Sequence, residues 1–316
     1  MTNKERMQLL LEGGVPDVPP HWELVYQIGR ETYGLDPDQV EQRAWTDESA
    51  KWRARADIHN EVSLRLIEEC DWAVALPMDS YNPQAVEYAK RALGSHALVP
   101  GFEGWGVFNT FNWQQIMDFS EKLYDRPYEL HAEARTKCDH AKQQFRKLVD
   151  AGADFLVGTY DWGFNDAPFI SPAHFREFVT PYLAELVQEA HELKRKLILH
   201  SDGCLTRILD QIYSTGIDGY QSVDPQGHMD IRVVRQQYPD WLLMGNVACN
   251  MLQDADDARI RDSVRYCMAH GGLGKRYIFS TSNCIFRGMP PESYAIMLDE
   301  YRRLCRANAE TDRRCH

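Results

Sequence analysis

The sequence predicts an α/β protein and, within that class, a single (β/α)8 TIM barrel. Eight short apolar runs typical of buried strands alternate with helical patterns along 316 residues, and this alternation implies parallel strands joined by crossover helices. The length also suits one barrel. No internal repeat and no linker rich in glycine, proline or serine divides the chain. A doubly wound sheet is the alternative, because a strand count made from sequence is easily wrong by one.

The eight predicted strands are short, apolar and mostly followed by polar residues. They are Pro19–Leu24, Trp72–Met78, Ala97–Phe102, Ala153–Tyr160, Lys196–His200, Ile217–Ser222, Leu242–Val247 and Tyr277–Ser282. The active sites of (β/α)8 barrels lie where the strands end. The residues that follow these runs are therefore the first candidates for chemistry.

Helical patterns fill the intervals between the strands, and some carry start and stop signals. Ser171-Pro172 is an N-cap followed by proline at the first helical position, and Gly271-Gly272 is typical of a helix end. The predicted helices are Asp57–Cys70, Glu129–Ala151, Ser171–Lys194, Ala255–Gly271 and Pro290–Ala307. We predict one barrel domain over residues 1–316, with a helical extension at 1–17 and a polar tail at 309–316.

Composition narrows the class of function. A formal net charge of −12 argues against nucleic acid or an anionic membrane as the main partner, and no apolar stretch is long enough to cross a bilayer. The charged, amphipathic N-terminus lacks the apolar segment of a signal peptide. The eight cysteines form no CxxC pair, so we expect them to be reduced and the protein to be cytoplasmic.

Two predicted strands end in side chains that can bind a metal. His200 closes the run Lys196–His200 and Asp202 follows it, while Cys284 follows the run Tyr277–Ser282. Zinc accepts nitrogen, oxygen and sulfur ligands, and a catalytic zinc site uses three protein ligands and leaves one position open. His200, Asp202 and Cys284 therefore form a candidate metal site. The alternative is a hydrogen-bonded histidine at the rim, a helix-capping aspartate and a buried thiol.

Three carboxylates follow three other predicted strands. Asp79, Glu103 and Asp161 each come directly after a strand-like run. At the mouth of a barrel, such groups can orient or protonate a substrate, which makes these three residues catalytic candidates. Taken singly, a carboxylate at such a position is more often structural, for example closing a turn, than catalytic.

Aromatic and amide side chains near the strand ends predict a substrate pocket. Trp22 lies in the first predicted strand and Tyr160 closes the fourth, so both are candidates for the wall of a pocket that holds a flat or apolar ligand. Asn246, near the end of the seventh predicted strand, is a further substrate-binding candidate. Aromatic residues in barrel loops also serve packing alone.

Several motifs resemble, in consistent order, those of the uroporphyrinogen decarboxylase superfamily. They are Val18-Pro-Pro-His-Trp22-Glu, Phe169-Ile-Ser171-Pro172-Ala-His-Phe-Arg-Glu-Phe-Val-Thr-Pro181-Tyr182, Leu199-His200-Ser-Asp202-Gly203, Met244-Gly245-Asn246-Val247 and Pro290-Pro291-Glu292-Ser. The resemblance runs from about Asn3 to Arg303 and implies a single (β/α)8 barrel. It also implies a homodimer, which is the state of the well-known members.

One branch of this superfamily holds true decarboxylases, which remove acetate carboxyl groups from uroporphyrinogen without a cofactor. These enzymes open with an Arg-Gln-Ala-Gly-Arg-Tyr signature that binds substrate carboxylates, and the matching stretch here keeps only Gln27, Gly29 and Arg30. Asp79 matches the catalytic aspartate, whereas Asn283 stands where those enzymes place a histidine. The resemblance thus makes Arg30 a substrate-binding candidate and cofactor-free decarboxylation an alternative function.

The other branch holds zinc-dependent, cobalamin-linked methyltransferases. They carry His-x-Cys-Gly after the fifth strand and a second cysteine further along. His200 and Cys284 match that histidine and second cysteine, and Asp202 stands in place of the first cysteine, where a carboxylate can still bind zinc. The resemblance therefore favours an enzyme that moves a methyl group between a small methylated substrate and a corrinoid, with Zn²⁺ at these three residues.

The corrinoid is expected from outside the chain, since the sequence contains no candidate cobalamin-binding domain. It would arrive as methylcobalamin used as a substrate, or on a separate corrinoid protein that docks at the barrel mouth. A third function, from a different class, stays open beside the methyltransferase and the decarboxylase: a non-catalytic barrel that binds a small molecule.

Overall fold

Six parallel strands at the centre of the molecule lie side by side in chain order. The structure is a computed structural model that describes residues 1–42, 46–108 and 113–315. The strands are β1 Pro100–Glu103, β2 Phe155–Thr159, β3 Leu197–His200, β4 Gly219–Ser222, β5 Leu242–Val247 and β6 Tyr277–Thr281. All neighbouring pairs are parallel, so the predicted α/β class is confirmed.

Helices join consecutive strands and surround the sheet. In the described part of the chain they are α1 Asn3–Leu11, α2 Gly29–Tyr33, α3 Glu48–Glu69, α4 Pro83–Leu93, α5 Trp113–Asp125, α6 Pro127–Asp150, α7 Pro172–Phe178, α8 Thr180–Glu192, α9 Leu209–Ser214, α10 Ile231–Gln237, α11 Cys249–Gln253, α12 Asp257–Cys267 and α13 Pro291–Cys315. Short 3₁₀ turns occur at Pro37–Gln42 and Pro225–Gly227, and a π-helical turn, Met268–Gly272, continues α12. No helix among the described residues is both long and apolar enough to span a membrane.

Two further segments close the sheet into a barrel. His21 makes parallel bridges to both Phe279 of β6 and Trp72, and the Ala73 amide donates a hydrogen bond to His21 O at 2.9 Å. Val74 then bridges the residue Leu98, two positions before β1. Eight segments therefore encircle the core, as the (β/α)8 prediction requires.

The first two predicted strands are wrong as strands, because each contributes only single bridges. Pro19 and Pro20 occupy the start of the first run and Pro77 lies near the end of the second. Proline has no amide hydrogen to donate to a ladder, so a proline-rich segment cannot sustain the repeated pairing that defines a strand. The two runs nevertheless lie where barrel strands one and two belong.

The predicted helix Ser171–Lys194 is two helices, α7 and α8. Pro181 lies in the first turn of α8 and cannot donate the hydrogen bond that would continue α7, so the helix restarts. The predicted N-cap is confirmed, since the Ser171 hydroxyl accepts a hydrogen bond from the His174 amide at 3.2 Å.

The two ends of the chain are helical. Helix α1 lies within the predicted extension 1–17 and buries Met7, Leu10 and Leu11. At the other end, α13 continues through 309–315, where the sequence predicts a polar tail; those residues include neither glycine nor proline to end a helix. His316 lies outside the described residues.

A fully buried carboxylate fastens the barrel closure. Glu23 accepts hydrogen bonds from the Thr281 amide (2.9 Å), the Thr281 hydroxyl (2.6 Å) and the Ser280 hydroxyl (3.0 Å). His21 Nε2 lies 3.2 Å from the same carboxylate, and His21 Nδ1 donates to Cys70 O at 2.7 Å. A buried carboxylate is tolerated when its lone pairs are satisfied in this way. The contacts connect the first segment to β6 and to the end of α3.

Replacing Glu23 with alanine should lower the free energy of unfolding by about 3–5 kcal/mol, because it leaves several buried donors without an acceptor. Urea denaturation measures the change. Glu61→Ala, which removes only an exposed pair with Arg65 on α3, is the matched control and should cost at most about 0.5 kcal/mol. Equal losses in the two variants would contradict the role of Glu23.

Candidate metal centre

Three metal-ligating side chains converge at the carboxyl ends of β2 and β3. Asp161 follows β2, His200 ends β3 and Asp202 follows it. Each offers one ligand atom, and the three atoms lie within 4.8 Å of one another. This is the end of a parallel barrel at which active sites form.

A hydrogen bond on the side of the ring away from the two carboxylates fixes the orientation of His200. Its Nδ1 is hydrogen-bonded to Gln221 Oε1, and Gln221 Nε2 donates to Ser282 O at 3.3 Å. Because that carbonyl engages the amide nitrogen, the amide oxygen faces the ring and Nδ1 carries the hydrogen. Nε2 therefore faces the two carboxylates, 3.5 Å from Asp161 Oδ1 and 3.8 Å from Asp202 Oδ2. Metal-binding histidines are oriented by partners of this kind.

The Asp202 carboxylate is held on both of its oxygens. Oδ1 accepts a hydrogen bond from the Ser222 hydroxyl at 2.7 Å and Oδ2 accepts one from the Asn283 amide. Burial raises the pKa of Asp202, and the neighbouring charge of Asp161 adds to the rise. Within the described ranges, neither carboxylate pairs with a lysine or an arginine. The two negative charges are thus left for a cation to neutralise.

Three glycines allow the loops of the site to touch. Gly163, Gly203 and Gly227 lie in the loops after β2, β3 and β4. A Cβ atom at Gly227 would lie 2.2 Å from Gly203 C, and one at Gly163 would lie 2.5 Å from Asp202 O. Gly203 also has φ +78°, a region that favours glycine. Backbone-to-backbone packing therefore sets the distance between Asp161 and Asp202.

Hydrogen bonds between the loops reinforce this packing. The Asp202 amide donates to Asp161 Oδ1 at 3.2 Å, and the Gly203 amide donates to Asp224 Oδ2 at 3.1 Å. The Cys204 amide donates to Phe164 O at 2.8 Å. The ligands are consequently positioned before any ion binds, which lowers the entropy cost of binding.

Cys284 lies outside the group of three. Its side chain is buried, and burial raises the pKa of its thiol to about 12. Among the described residues, the third member of the metal-ligating group is Asp161, whereas the sequence predicts Cys284. Metal binding by Cys284 stays a prediction.

Glu103 and Tyr160 form a separate buried pair. Tyr160 donates to Glu103 at 2.8 Å, and the amides of Trp105 and Gly106 donate to the same carboxylate at 2.7 and 3.0 Å. Burial raises the pKa of Glu103, although these hydrogen bonds oppose the rise. The geometry makes Glu103 an anchor for the loop after β1.

Two other candidates from the sequence lie in the interior. Trp22 is fully buried and packs edge-on against Phe155, with 5.5 Å between the ring centroids. Asn246 is buried too, and its amide donates to Val223 O at 2.6 Å while its oxygen accepts a weak hydrogen bond from Cys267 Sγ. Asn246 also lines a cavity of about 510 Å³, and neither residue belongs to the metal-ligating group of the described residues.

Asp79 and Arg30 line two adjoining cavities at the barrel mouth. Asp79 is exposed, accepts a hydrogen bond from the Tyr81 amide at 3.0 Å and lines a cavity of about 220 Å³. Arg30 is exposed, lies 3.7 Å from Asp36 and lines a cavity of about 530 Å³. The Tyr81 hydroxyl is 2.9 Å from Thr159 Oγ1 at the end of β2, so the wall of the smaller cavity contacts the strand that precedes Asp161.

A histidine that the sequence does not single out is shared by the two cavities. His59 of α3 lines both of them, and its Nε2 is buried with no hydrogen-bond partner in the part of the chain that the structure describes. Burial lowers the pKa of His59 to about 4, so the ring is neutral at pH 7.

Alanine at position 227 should destabilise the loops of the site. We expect Gly227→Ala to lower the free energy of unfolding by roughly 2 kcal/mol or more, because the new Cβ clashes with the backbone of Gly203, which cannot move without shifting the loop. Gly274→Ala is the control: Gly274 has φ +68° with open space around it and should cost only about 1 kcal/mol. Chemical denaturation compares them, and a smaller loss at 227 would contradict the packing described.

Acid should destabilise the protein partly through His59. The unfolded ring takes up a proton near pH 6.5 and the folded ring only near pH 4, so this contribution is complete above pH 6.5 and is lost as the pH falls. The loss reaches at most about 3 kcal/mol near pH 4. Unfolding free energies of the parent protein, His59→Gln and the exposed control His96→Gln between pH 4 and 7 check this: only His59→Gln should have a shallower dependence.

Comparison with known proteins is consistent with this architecture. Residues 65–304 match the family model described as Uroporphyrinogen decarboxylase (URO-D). Two curated relatives bear the name uroporphyrinogen decarboxylase: the Pectobacterium atrosepticum protein is 25% identical over 72% of this chain and 65% of its own length, and the Thioalkalivibrio sulfidiphilus protein is 24% identical over 70% and 63%. The chain thus spans just under two thirds of these relatives.

A solved structure shares the fold over almost its whole length. A methyltransferase from Methanosarcina mazei superposes with a TM-score of 0.73, over 96% of this chain and 99% of that chain, at 13% sequence identity. At that identity the likeness establishes the barrel fold alone. With the family match covering residues 65–304, the chain belongs to the uroporphyrinogen decarboxylase family.

Proposed function

We propose that this protein is a zinc-dependent enzyme that moves a methyl group between a small methylated substrate and a corrinoid. One observation carries the proposal: Asp161, His200 and Asp202 converge at the active-site end of the barrel, with His200 Nε2 facing both carboxylates. The family is enzymatic, and the shared fold with a methyltransferase supports this branch of it.

The three side chains fit a catalytic zinc site. One imidazole nitrogen and two carboxylate oxygens are accepted zinc ligands, and three protein ligands leave one position for a substrate. Asp202 supplies the oxygen at the position where the resemblance expects a thiolate. A divalent ion would also neutralise the two carboxylate charges, which lie together without a lysine or arginine partner among the described residues.

Zinc at this site would act as a Lewis acid that lowers the pKa of the substrate heteroatom or polarises a methyl–oxygen or methyl–sulfur bond. The chain's own groups would position the substrate. The cavity of about 220 Å³ beside Asp79 and Tyr81 is of a size for a small molecule. Asp161, whose side chain is 45% exposed, faces the mouth from which such a molecule enters.

The corrinoid would approach the mouth from outside. Trp105 and Phe164, in the loops after β1 and β2, are 64% and 49% exposed. Exposed aromatic rings beside an active site suit a flat, largely apolar macrocycle. Delivery on a docking corrinoid protein, and a homodimeric state, belong to this proposal through the family resemblance.

Cofactor-free decarboxylation is the second candidate. The curated relatives bear that name, and Asp79, which matches the decarboxylase aspartate in the resemblance, lines a cavity at the mouth. This reaction would depend on Asp79 and would not require a metal. The decarboxylase would therefore require Asp79 and not the three clustered ligands, whereas the methyltransferase would require the three ligands.

Metal content is the first test of the proposal. Protein purified without chelator should contain about one zinc ion per chain, and His200→Gln and Asp161→Asn should lose it because each removes one of three ligands. Gln221→Leu should weaken zinc binding by roughly 10–100-fold, since it releases the orientation of the His200 ring. Elemental analysis and competition with a chromogenic chelator measure both effects.

The control for metal content is Asp79→Asn, which should retain zinc. If the parent protein contains no zinc and binds none when zinc is added, the proposal is contradicted.

Activity assays separate the two candidates. Zinc-loaded protein should transfer a methyl group from a methylated thiol, amine or ether to cob(I)alamin, releasing the free thiol, amine or alcohol, or run the reverse reaction from methylcobalamin. Cobalamin absorbance follows the reaction, and Asp161→Asn should reduce the rate by at least 100-fold. Decarboxylase activity would instead release carbon dioxide from a porphyrinogen without zinc and would be lost in Asp79→Asn. That second pattern would overturn the methyltransferase assignment.

A further inference from the structure

A cavity of about 580 Å³ lies at the end of the barrel opposite the metal centre. It is bounded by α1, by α4 and by residues that precede strands: Leu98 before β1, Asp154 before β2 and Lys196 before β3. These are the amino ends of the strands, whereas Asp161 and His200 lie at the carboxyl ends. Nothing in the proposed methyl transfer makes use of this cavity.

The lining of this cavity is strongly basic. In a chain with a formal net charge of −12, only two carboxylates, Glu12 and Asp154, line the cavity. Its cationic side chains are Lys4, Lys90, Lys194, Arg195 and Lys196. Cations of one sign repel one another, so their concentration in a concave site favours an anionic ligand.

Two of the five cations are neutralised by the protein itself. Lys90 pairs with Asp154 at 2.7 Å, and Lys196 pairs with Asp218 at 2.8 Å. Lys4 instead donates to backbone oxygens, at 2.6 Å to that of Gly94. Lys4 thus keeps its full positive charge at the edge of the cavity.

The remaining two cations also lack a carboxylate partner. Among the described residues, Arg195 donates to the backbone oxygens of Ala153 (2.8 Å) and Lys194 (3.0 Å) and forms no ion pair. The ammonium group of Lys194 has no partner in the same part of the chain. Three uncompensated cations face one carboxylate, Glu12. The surplus of about two positive charges matches the charge of a phosphate monoester near neutral pH.

Lys194 adopts a backbone conformation that favours glycine. Helix α8 ends in a Schellman motif, in which the Arg195 amide donates to Ala190 O at 2.8 Å and the Lys194 amide to His191 O at 2.9 Å. Lys194 occupies the left-handed position of that motif, with φ +56°. Glycine is the favoured residue there, and a side chain in this conformation costs stability. From this strained position the Lys194 side chain lines the cavity.

We propose that this cavity binds a small phosphorylated molecule through Lys4, Lys194 and Arg195. The guanidinium of Arg195 suits paired hydrogen bonds to phosphate oxygens, and the volume admits an organic group attached to the phosphate. Because Lys4 belongs to α1 while Lys194 and Arg195 precede β3, the ligand ties the N-terminal helix to the barrel. Binding therefore stabilises the folded protein.

The test uses inorganic pyrophosphate and inorganic phosphate as probes, in the full chain. At constant ionic strength set with sodium chloride, pyrophosphate at saturation should raise the thermal unfolding midpoint by about 2–5 °C. The same rise should occur in His200→Gln protein, in which the candidate metal centre offers no competing site. This result would stand whether or not the methyltransferase proposal holds.

Lys194→Gly separates a binding role from a structural one. Without anion, this variant should unfold at a higher temperature than the parent, because glycine relieves the left-handed backbone, yet it should lose most of the rise caused by pyrophosphate. Ala255→Gly is the matched control, since Ala255 also has a left-handed φ of +55° outside this cavity. It should gain midpoint temperature and keep the full pyrophosphate effect.

Reversing the charge of Lys194 tests whether its positive charge is needed for anion binding. Lys194→Glu should abolish the pyrophosphate effect, while Arg53→Glu, on the exposed face of α3, changes the net charge equally and should retain it. No rise beyond that of matched sodium chloride in the parent protein, or a full rise in Lys194→Gly, would overturn the proposal.

Discussion

Everything at the mouth of this protein depends on the closure of its barrel, and one buried carboxylate makes the closing contact. The proline-rich first segment cannot form a ladder of its own, so its attachment depends on the bridges of His21 and on Glu23, whose oxygens receive the Thr281 amide and hydroxyl. This contact joins the chain's beginning to β6. Once the ring is closed, the carboxyl ends of all the strands surround one rim, and loops distant in sequence become neighbours.

Close approach of three loops then turns that rim into a site. Gly163, Gly203 and Gly227 remove the Cβ atoms that would hold the loops apart, and the resulting spacing brings Asp161 and Asp202 to either side of the His200 ring nitrogen. Packing, rather than any short ligand motif, therefore creates the metal-ligating geometry. Hydrogen bonds then hold the two carboxylates in place: the Asp202 amide donates to Asp161 Oδ1, and Ser222 and Asn283 donate to the two oxygens of Asp202.

The sequence was sufficient for the barrel class and for part of the site, but not for its composition. His200 ends β3 and Asp202 lies two residues later, so the proximity of these two candidates follows directly from their positions in the chain. Asp161 was recognised as a strand-end carboxylate, but its approach to His200 depends on contacts between loops that no linear spacing encodes. The signal that could have revealed it was the recurrence of glycine after β2, β3 and β4. Cys284 is predicted because it follows the last strand and because it matches the family pattern, and neither signal places its side chain relative to His200.

The central claim is that a metal ion binds between Asp161, His200 and Asp202. A crystal structure of zinc-reconstituted protein, with anomalous data collected on both sides of the zinc absorption edge, tests this most directly. We predict a single strong zinc peak about 2.0–2.2 Å from His200 Nε2 and from an oxygen of each aspartate. A zinc peak bound to Cys284 without Asp161, or no peak at these residues, would contradict the account.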